Sequence, residues 1–402
     1  MRVGVSITVI LAACVAGAGA NADTAALEDA VKATQPIIDL RLRTESVSQT
    51  GIAKDASAFT LRGRLGFETG KFWNTKLLAE AELVWPLNEN YNSTVNGKTQ
   101  YPVVADPEDY DLNRLQLANT SIPGTTVIVG RQRIILDDHR FVGNVGWRQN
   151  EQTFDAVRIT NKSIKNLAID VAYVDQVNRV FGQDSPVGRY RGSTWFANAA
   201  YQTPYGKLTG FAYVLDLDRA PTDSSQTFGA RFTGEHAVGS IKLGYLASFA
   251  SQNEYADNPL NYRDDYYALE LAATVYDVSF TAGWELLGGD GVKGFTAPLG
   301  TLHRFQGWAD KFLTTPANGI DDRYLGLSYA RKKTGLLDAV SATASYHSFE
   351  SDRLGLKYGS ELDLQLQLKL RKYTLIAKYA DYSADSFATD TRKVWFQLEY
   401  QR

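Results

Sequence analysis

Apolar and polar residues alternate with a period of two along most of the chain after residue 36. The alternation is clearest between residues 360 and 371, where five leucines are interleaved with acidic, basic and amide side chains. A period of two is that of a β-strand, whose successive side chains point to opposite faces. An apolar face opposite a charged face fits a strand between lipid and water, and it fits a strand of a soluble β-sandwich equally well.

Eighteen such segments are predicted, each about ten residues long. They cover residues 36–47, 58–68, 75–85, 110–120, 124–133, 152–160, 166–176, 193–203, 207–217, 225–235, 239–250, 264–274, 277–287, 322–332, 338–349, 360–371, 373–383 and 392–400. Strands of this length can cross the hydrocarbon core of a membrane.

The connections between these segments are alternately short and long. The short ones include residues 122–124, 204–206, 237–238, 276–277 and 372, and the long ones include residues 86–109, 134–151, 177–192, 251–263 and 288–321. Short periplasmic turns opposite long external loops are typical of outer-membrane barrels, whereas a Greek-key sandwich has no reason to alternate them. The pattern predicts an all-β fold, namely a transmembrane up-and-down antiparallel β-barrel of about 18 strands with both chain ends in the periplasm.

The first residues have the parts of a secretory signal peptide. A basic start at Arg2 precedes an apolar stretch, and Ala-Asn-Ala at residues 20–22 is a cleavage motif. We therefore expect a signal peptide at residues 1–22, a periplasmic tail or single helical turn at residues 23–35, and the barrel at residues 36–402. The alternative is a lipoprotein box at residues 11–14, in which Cys14 would be acylated.

Composition narrows the class of protein further. The 402 residues carry 42 basic and 45 acidic side chains, a near balance that argues against a nucleic-acid binder. Cys14 is the only cysteine, so a disulfide scaffold or a cysteine metal site is excluded. The chain is rich in Tyr, Phe and Gly, and no apolar run beyond the signal approaches the length of a membrane helix. A membrane protein of this composition has to cross as a barrel, because only helices and closed barrels satisfy their backbone hydrogen bonds in lipid.

Guanidinium groups outnumber carboxylates on the faces that would line the lumen. The inward positions include Arg41, Arg43, Arg62, Arg64, Arg114, Arg131, Arg133, Arg158 and Lys378. Fixed guanidinium groups lower the barrier for anions, which favours an anion-selective pore. The alternative is that these arginines pair with carboxylates of adjacent strands and stiffen the wall.

Two stretches of the chain resemble the alginate-export family of outer-membrane porins. Residues 130–141 read GRQRIILDDHRF and residues 146–156 read GWRQNEQTFDA, while residues 298–312 read PLGTLHRFQGWADKF. Together with the strand order, the resemblance covers nearly the whole predicted mature chain. It implies an 18-stranded monomeric barrel with an arginine-rich constriction that passes an anionic polysaccharide or smaller anions. By this resemblance the constriction candidates are Arg131, Arg133 and Arg140, with Asp137 and Asp138 as partners that hold them.

The loop that follows Arg133 can fold back into the bore and narrow it. In the long loop of residues 288–321, Trp308, Phe305 and Phe312 either offer stacking faces to a sugar or pin that loop to the barrel rim.

The acidic residues Asp106, Glu108, Asp109 and Asp111 could gather Ca²⁺, although a solvated acidic loop is favoured. The four histidines lack zinc-ligand spacing, and no cofactor or metal is expected.

These observations predict a bacterial outer-membrane channel for hydrophilic solutes, with anions favoured, rather than an enzyme. The expected partners are outer-membrane lipid and lipopolysaccharide, the barrel-assembly machinery and the solute, and a monomer is expected. One alternative is a barrel enzyme of the lipase or protease type, for which His347 beside Ser345 and Ser348 is the only local hint. The other is a soluble secreted carbohydrate-binding β protein.

Overall fold

A short helix precedes the barrel. The computed structural model describes residues 20–402, with side chains from Thr24, so the predicted signal peptide and the alternative lipidation at Cys14 lie outside the described residues. Helix α1, Ala20–Lys32, replaces the expected periplasmic tail or single helical turn, and its alanine content favours helix. The Ala30 carbonyl accepts a hydrogen bond of 2.9 Å from the Gly70 amide, which joins the helix to the turn at residues 69–74. Within the described part of the chain, no helix has the length and apolar character needed to cross a membrane.

All eighteen predicted strands are present. They are β1 Gln35–Gln49, β2 Ala56–Glu68, β3 Thr75–Pro86, β4 Asp109–Asn119, β5 Thr125–Gln132, β6 Thr153–Asn161, β7 Leu167–Asn178, β8 Arg189–Thr203, β9 Gly206–Leu215, β10 Ser225–Val238, β11 Ile241–Glu254, β12 Arg263–Val275, β13 Val278–Leu287, β14 Ile320–Thr334, β15 Leu337–Glu350, β16 Lys357–Leu370, β17 Tyr373–Ala384 and β18 Thr391–Gln401. Their ends differ from the predicted ends by a few residues; β8, for example, begins at Arg189 rather than at residue 193.

Each strand pairs antiparallel with its neighbours in sequence, and β1 also pairs with β18, so the sheet closes into a barrel. Closure leaves no unpaired strand edge, which a sheet in lipid requires. Both described chain ends lie at the end of the barrel that carries the short turns. The β10–β11 turn is at Gly239 and Ser240 rather than at the predicted residues 237–238, because Gly239 adopts the positive φ of 61° that a tight hairpin turn needs.

The outer face is apolar between two belts of aromatic side chains. The exposed aromatics near the long loops include Trp85, Tyr110, Trp195 and Tyr346, and those near the short turns include Phe67, Tyr201, Tyr205, Tyr276 and Tyr373. Four of the five leucines of β16 are exposed between the belts, while Glu361 and Asp363 of the same strand are buried inside the barrel. Aromatic belts on either side of an apolar band mark the two membrane interfaces. The fold is therefore the predicted transmembrane barrel.

Two long loops fold into the lumen. The first inner loop, residues 133–152, follows β5, and the second inner loop, residues 288–319, follows β13. They meet where Val142 and Leu299 form a parallel bridge, and the Gly143 amide donates a hydrogen bond of 2.9 Å to the Leu299 carbonyl. The buried apolar residues of the barrel gather around these loops and include Ile134, Val142, Phe295 and Leu299.

Candidate pore constriction

Four arginines form a basic ladder on the inner face of the wall. The ladder consists of Arg41 and Arg43 on β1 and Arg62 and Arg64 on β2. The period of two on each strand, with Arg41 opposite Arg62 in the register, brings all four side chains to the lumen side. All four are buried.

Carboxylates of the wall compensate most of the charge of the basic ladder. The pairs are Arg62 with Asp39, Arg64 with Glu82, and Arg41 with Glu399, the last at 2.8 Å. Two nitrogens of Arg62, Nε and Nη1, are buried without a hydrogen-bond partner among the described residues. The ion pairs of the basic ladder cross-link adjacent strands. This is the arrangement that the alternative interpretation of the lumen arginines predicts.

The first inner loop covers the basic ladder. Nη1 of Arg41 donates to the carbonyls of Gly146, Trp147 and Arg148, each at 3.1 Å, and Nη2 of Arg43 donates to the Trp147 carbonyl at 2.5 Å. Three consecutive carbonyls on one guanidinium group fix the loop against β1 and β2. The predicted folding of this loop into the bore is confirmed, and the basic ladder is one of its anchors.

Arg131 lies on the wall in β5, and Arg133 lies two residues further along, at the start of the first inner loop. Arg131 binds Asp155 at 2.7 Å and Asp111 at 3.1 Å, which ties β5 to both neighbouring strands. Arg133 binds Glu151 of the first inner loop, and its side chain keeps 30% exposure.

Glu151 links Arg133 to the basic ladder. Its Oε1 lies 3.7 Å from Nη1 of Arg64. Burial alone would raise the pKa of Glu151, but Arg64 and Arg133 lower it well below its usual range. Glu151 is therefore an ionised bridge between the two cations, and Arg133 is the guanidinium of this group that solutes can reach.

The middle of the first inner loop contacts the opposite wall. Arg140 binds Glu285 of β13 at 2.7 Å and is buried. Asp138 binds Arg231 of β10 at 2.6 Å, and the Asp137 carboxylate lies 3.6 Å from Nζ of Lys207. The prediction that Asp137 and Asp138 hold Arg131, Arg133 and Arg140 is thus wrong for all three guanidinium groups, because the loop crosses the lumen and carries both carboxylates to β9 and β10. The only hydrogen bond from Arg140 to Asp138 comes from the backbone amide of Arg140, at 3.3 Å.

A histidine joins the second inner loop to the wall. Nδ1 of His303 lies 2.7 Å from Asp310, and Nε2 lies 2.6 Å from Nζ of Lys378 on β17. Asp310 in turn binds Lys393 of β18 at 2.8 Å and Arg148 of the first inner loop at 2.9 Å. Burial holds the pKa of His303 well below its usual value, and Lys378 lowers it further against the opposing effect of Asp310.

Aromatic rings surround this contact. The Trp147 ring stacks on the His303 ring with centroids 4.7 Å apart, and Nζ of Lys378 lies 4.1 Å from the Trp147 centroid and 3.6 Å from that of Trp308. Trp395 of β18 packs edge-on against Trp147 at 5.8 Å. We call these five residues, Trp147, His303, Trp308, Lys378 and Trp395, the central layer. Aromatic faces attract cations, which suits a lysine that has no carboxylate partner within ion-pair distance in the described part of the chain.

The three aromatic residues predicted to stack on sugars or pin a loop have different environments. Phe312 is buried against Phe349 and Phe387 and pins the second inner loop to the wall. Phe305 packs on the Arg140 guanidinium at 4.8 Å. Both Phe305 and Trp308 also face a cavity of about 330 Å³ on the short-turn side of the central layer.

Residues of two alternatives, a Ca²⁺ site and a hydrolase site, take part in ion pairs. Asp106 accepts from the Gln149 amide at 2.8 Å and lies 3.6 Å from Arg43, while Asp111 binds Arg131, so these carboxylates hold arginines. Within residues 20–402 no group of three or more candidate ligands could hold a metal ion. Nδ1 of His347 lies 3.0 Å from Asp322 and Nε2 lies 4.0 Å from Asp363, and among the described residues neither Ser345 nor Ser348 forms a hydrogen bond with the ring.

Sequence reasoning placed Lys378 in the lumen but missed Trp147, His303 and Asp310 as functional residues. The three lie in the two stretches that resemble the alginate-export family, residues 146–156 and 298–312, and the structure brings these stretches into contact. The sequence signal that could have identified them is their position in the two long loops for which the sequence allows inward folding.

Comparisons with known proteins agree with this architecture. A family model described as alginate export matches residues 38–253, slightly more than half of the chain. No curated protein matches.

Solved outer-membrane channels have the same fold. OccAB4 of Acinetobacter baumannii covers 92% of this chain and 98% of its own with a TM-score of 0.71 at 14% identity. OccK3 (OpdO) of Pseudomonas aeruginosa covers 95% and 99% with a TM-score of 0.72 at 16% identity. OpdK of Pseudomonas aeruginosa, solved with vanillate, covers 92% and 99% with a TM-score of 0.68 at 15% identity. At these identities the likeness concerns the fold.

Proposed function

Because this chain belongs to the alginate export family, we propose that it is an outer-membrane channel for anionic solutes, narrowed by the central layer and the basic ladder. The ligands named for its relatives agree in chemistry. Alginate is a polymer of uronic acids and vanillate is a small aromatic acid, so both are carboxylates. A carboxylate is the group that fixed guanidinium and ammonium groups favour in a narrow aqueous passage.

The observation that carries the proposal is the position of Arg133. Its side chain is 30% exposed, whereas its carboxylate partner Glu151 is buried and also lies 3.7 Å from Nη1 of Arg64. The arginines of the basic ladder are buried, so Arg133 is the cation beside them whose charge a solute can contact. A fixed opposite charge about 4 Å away stabilises an ion that has lost hydration by roughly 4 kcal/mol, at an effective dielectric near 20.

Reversal potentials in planar bilayers under a KCl gradient test the proposal. Wild type should favour chloride over potassium, and the preference should fall at about 1 M salt, where the screening length is only about 3 Å. The change Arg133→Gln, which removes an exposed cation near the basic ladder, should reduce the preference. Lys98→Gln removes the same charge on an external loop and should have no effect. A cation-selective wild type would refute the proposal.

The same proposal implies how the chain reaches the outer membrane and what it contacts there. As an outer-membrane barrel it would be exported by the predicted signal peptide at residues 1–22 and inserted by the barrel-assembly machinery. It would act as a monomer in contact with lipopolysaccharide. The alternative of a barrel enzyme has no support from His347, whose ring faces Asp322 and Asp363.

A further inference from the structure

A second cavity lies on the long-loop side of the central layer. We call it the outer vestibule; its volume is about 580 Å³. External loops form its sides, and Arg148, His303 and Lys393 form the part that adjoins the constriction. A solute that enters from outside therefore meets this space before the central layer. The volume is in the range of sites that enclose a small molecule rather than a polymer.

Two cations of the outer vestibule have no carboxylate partner. Arg179 stacks on the ring of Tyr190 at 4.1 Å and of Phe181 at 4.8 Å, and its Nη1 donates to the Val187 carbonyl at 3.0 Å. No carboxylate of the described residues lies within ion-pair distance of it. The aromatic rings and the carbonyl hold the guanidinium group in place, while its other nitrogens remain available.

Lys311 is the second of these cations. It makes neither a hydrogen bond nor an ion pair within residues 24–402, although it is half-buried. Burial, together with the neighbouring Lys393, lowers the pKa of Lys311 to about 8. The ammonium group is thus still protonated at neutral pH, and a bound anion would stabilise its charged form.

The carboxylates that line the outer vestibule do not neutralise these two cations. Asp223 binds Lys293 at 3.0 Å, and Asp310 is shared by Lys393, Arg148 and His303. The cavity is lined by four basic residues and two acidic ones, counting His303 as neutral because its pKa is lowered. A concave site with an excess of one charge concentrates ions of the opposite charge.

The same cavity presents apolar side chains. Ile52, Val103 and Leu313 line it and retain 37%, 48% and 47% exposure. They lie on three different loops, Leu313 being in the second inner loop, so the apolar surface exists only where these loops meet. Apolar walls combined with a few convergent charged groups are typical of sites for small organic ligands, and a strongly hydrated sugar acid would gain nothing from such walls.

We propose that the outer vestibule binds small carboxylates that have an apolar body, such as aromatic or medium-chain acids. The carboxylate would be attracted by Arg179 and Lys311, which line the same cavity, and the apolar body would pack against Ile52, Val103 and Leu313. The inference rests on the proposed anion channel, for which the outer vestibule would be the site of capture. It deepens that function by naming a class of solute that differs from a polyuronate.

Calorimetric titration of the full-length protein in detergent tests this proposal without any transport. The probes are benzoate, hexanoate, acetate and galacturonate. Benzoate and hexanoate should bind at least about ten-fold more tightly than acetate and galacturonate, because only they bury apolar surface. Arg179→Gln and Lys311→Gln should each weaken benzoate binding by about ten-fold, the loss expected for one charge-assisted contact.

Matched variants separate a binding role from a structural one. Val103→Ser should weaken benzoate and leave acetate unchanged, Arg179→Lys should retain part of the affinity, and Lys98→Gln should retain all of it. Heat-modifiable migration in detergent gels identifies which variants are folded, and only those are titrated. Equal affinity for benzoate and acetate, or unchanged binding in both cation variants, would overturn the proposal.

The two proposals fail in different ways. An anion-selective channel that binds no benzoate would leave the proposed function intact and remove the outer vestibule site. Benzoate binding by a protein whose channel prefers potassium would keep the site and remove the proposed selectivity.

Discussion

Nζ of Lys378 on β17 and Nε2 of His303 on the second inner loop are 2.6 Å apart, so one wall strand and one lumen loop share a single proton between two nitrogens. Two fully protonated groups cannot be neighbours at this distance. The low pKa of His303 is consistent with the imidazole being the neutral member of the pair. The contact therefore depends on the charge of His303, which links loop position to pH.

Acidification should loosen the second inner loop. The docked loop holds the pKa of His303 well below its usual value, so the released loop binds a proton more readily. The docked state is fully favoured above the ordinary histidine pKa of about 6.5 and loses stability as pH falls below it. We expect single-channel conductance to become larger or more variable between about pH 6.5 and pH 5.

His303→Gln should remove this pH dependence. Asp310 supplies the internal control, since its pKa is well below the usual carboxyl value and its ion pairs with Arg148 and Lys393 persist through the same window. A wild-type channel whose conductance stays constant from pH 8 to pH 5 would contradict the role of His303.

The strands could be predicted from the sequence because their signals are local. The period of two and the alternation of short and long connections determine strand number, strand position and the inward face. Where the ends differ, as at the β10–β11 turn, the deciding factor is the backbone conformation of Gly239. Residues 23–32 belong to a helix, where a periplasmic tail or a single helical turn is expected, because their alanines favour helix.

The pairing of the site residues could not be predicted in the same way. Arg140 and Glu285 are separated by 145 positions, and His303 and Lys378 by 75. No local periodicity encodes which loop residue meets which wall residue. The sequence therefore predicts Arg140 as a constriction residue but gives Asp137 and Asp138 the wrong partners. Their partners, Lys207 and Arg231, depend on the path of the first inner loop across the lumen.

The lipid-facing side of β16 gives a prediction on stability. Leu366 points outward and Gln367 inward, so Leu366→Arg should destabilise the folded barrel by about 2 to 4 kcal/mol, whereas Gln367→Arg should cost little. Urea titrations of the protein folded into lipid vesicles measure both. Similar losses for the two variants would show that the faces are wrongly assigned.

The topology can be tested by labelling in intact cells. Gln100 is exposed in the loop after β3, and Ser240 is exposed in the turn between β10 and β11 at the opposite end of the barrel. In cells expressing Gln100→Cys, a membrane-impermeant maleimide should react at once, and with Ser240→Cys it should react only after the outer membrane is broken. Labelling in the reverse order would show that the short turns, and not the long loops, face the outside of the cell.

Arg148 provides the sharpest test of how the two inner loops narrow the bore. It belongs to the first inner loop and binds Glu45 of β1 at 3.1 Å and Asp310 of the second inner loop at 2.9 Å. One side chain thus joins both loops to the wall beside the basic ladder. Removing one member of a buried ion pair leaves the other charge unpaired, which typically costs about 3 to 5 kcal/mol.

That cost falls on the docked loops rather than on the barrel, because the strand ladder around them is closed and does not need Arg148. Arg148→Ala should therefore increase conductance and current noise in planar bilayers while the barrel keeps its heat-modifiable migration. Arg158→Ala is the matched control: Arg158 binds Asp170 between β6 and β7 and contacts neither inner loop. If Arg148→Ala and Arg158→Ala change the conductance equally, Arg148 does not hold the loops in the bore; if only Arg148→Ala changes it, the loops set the width of the passage.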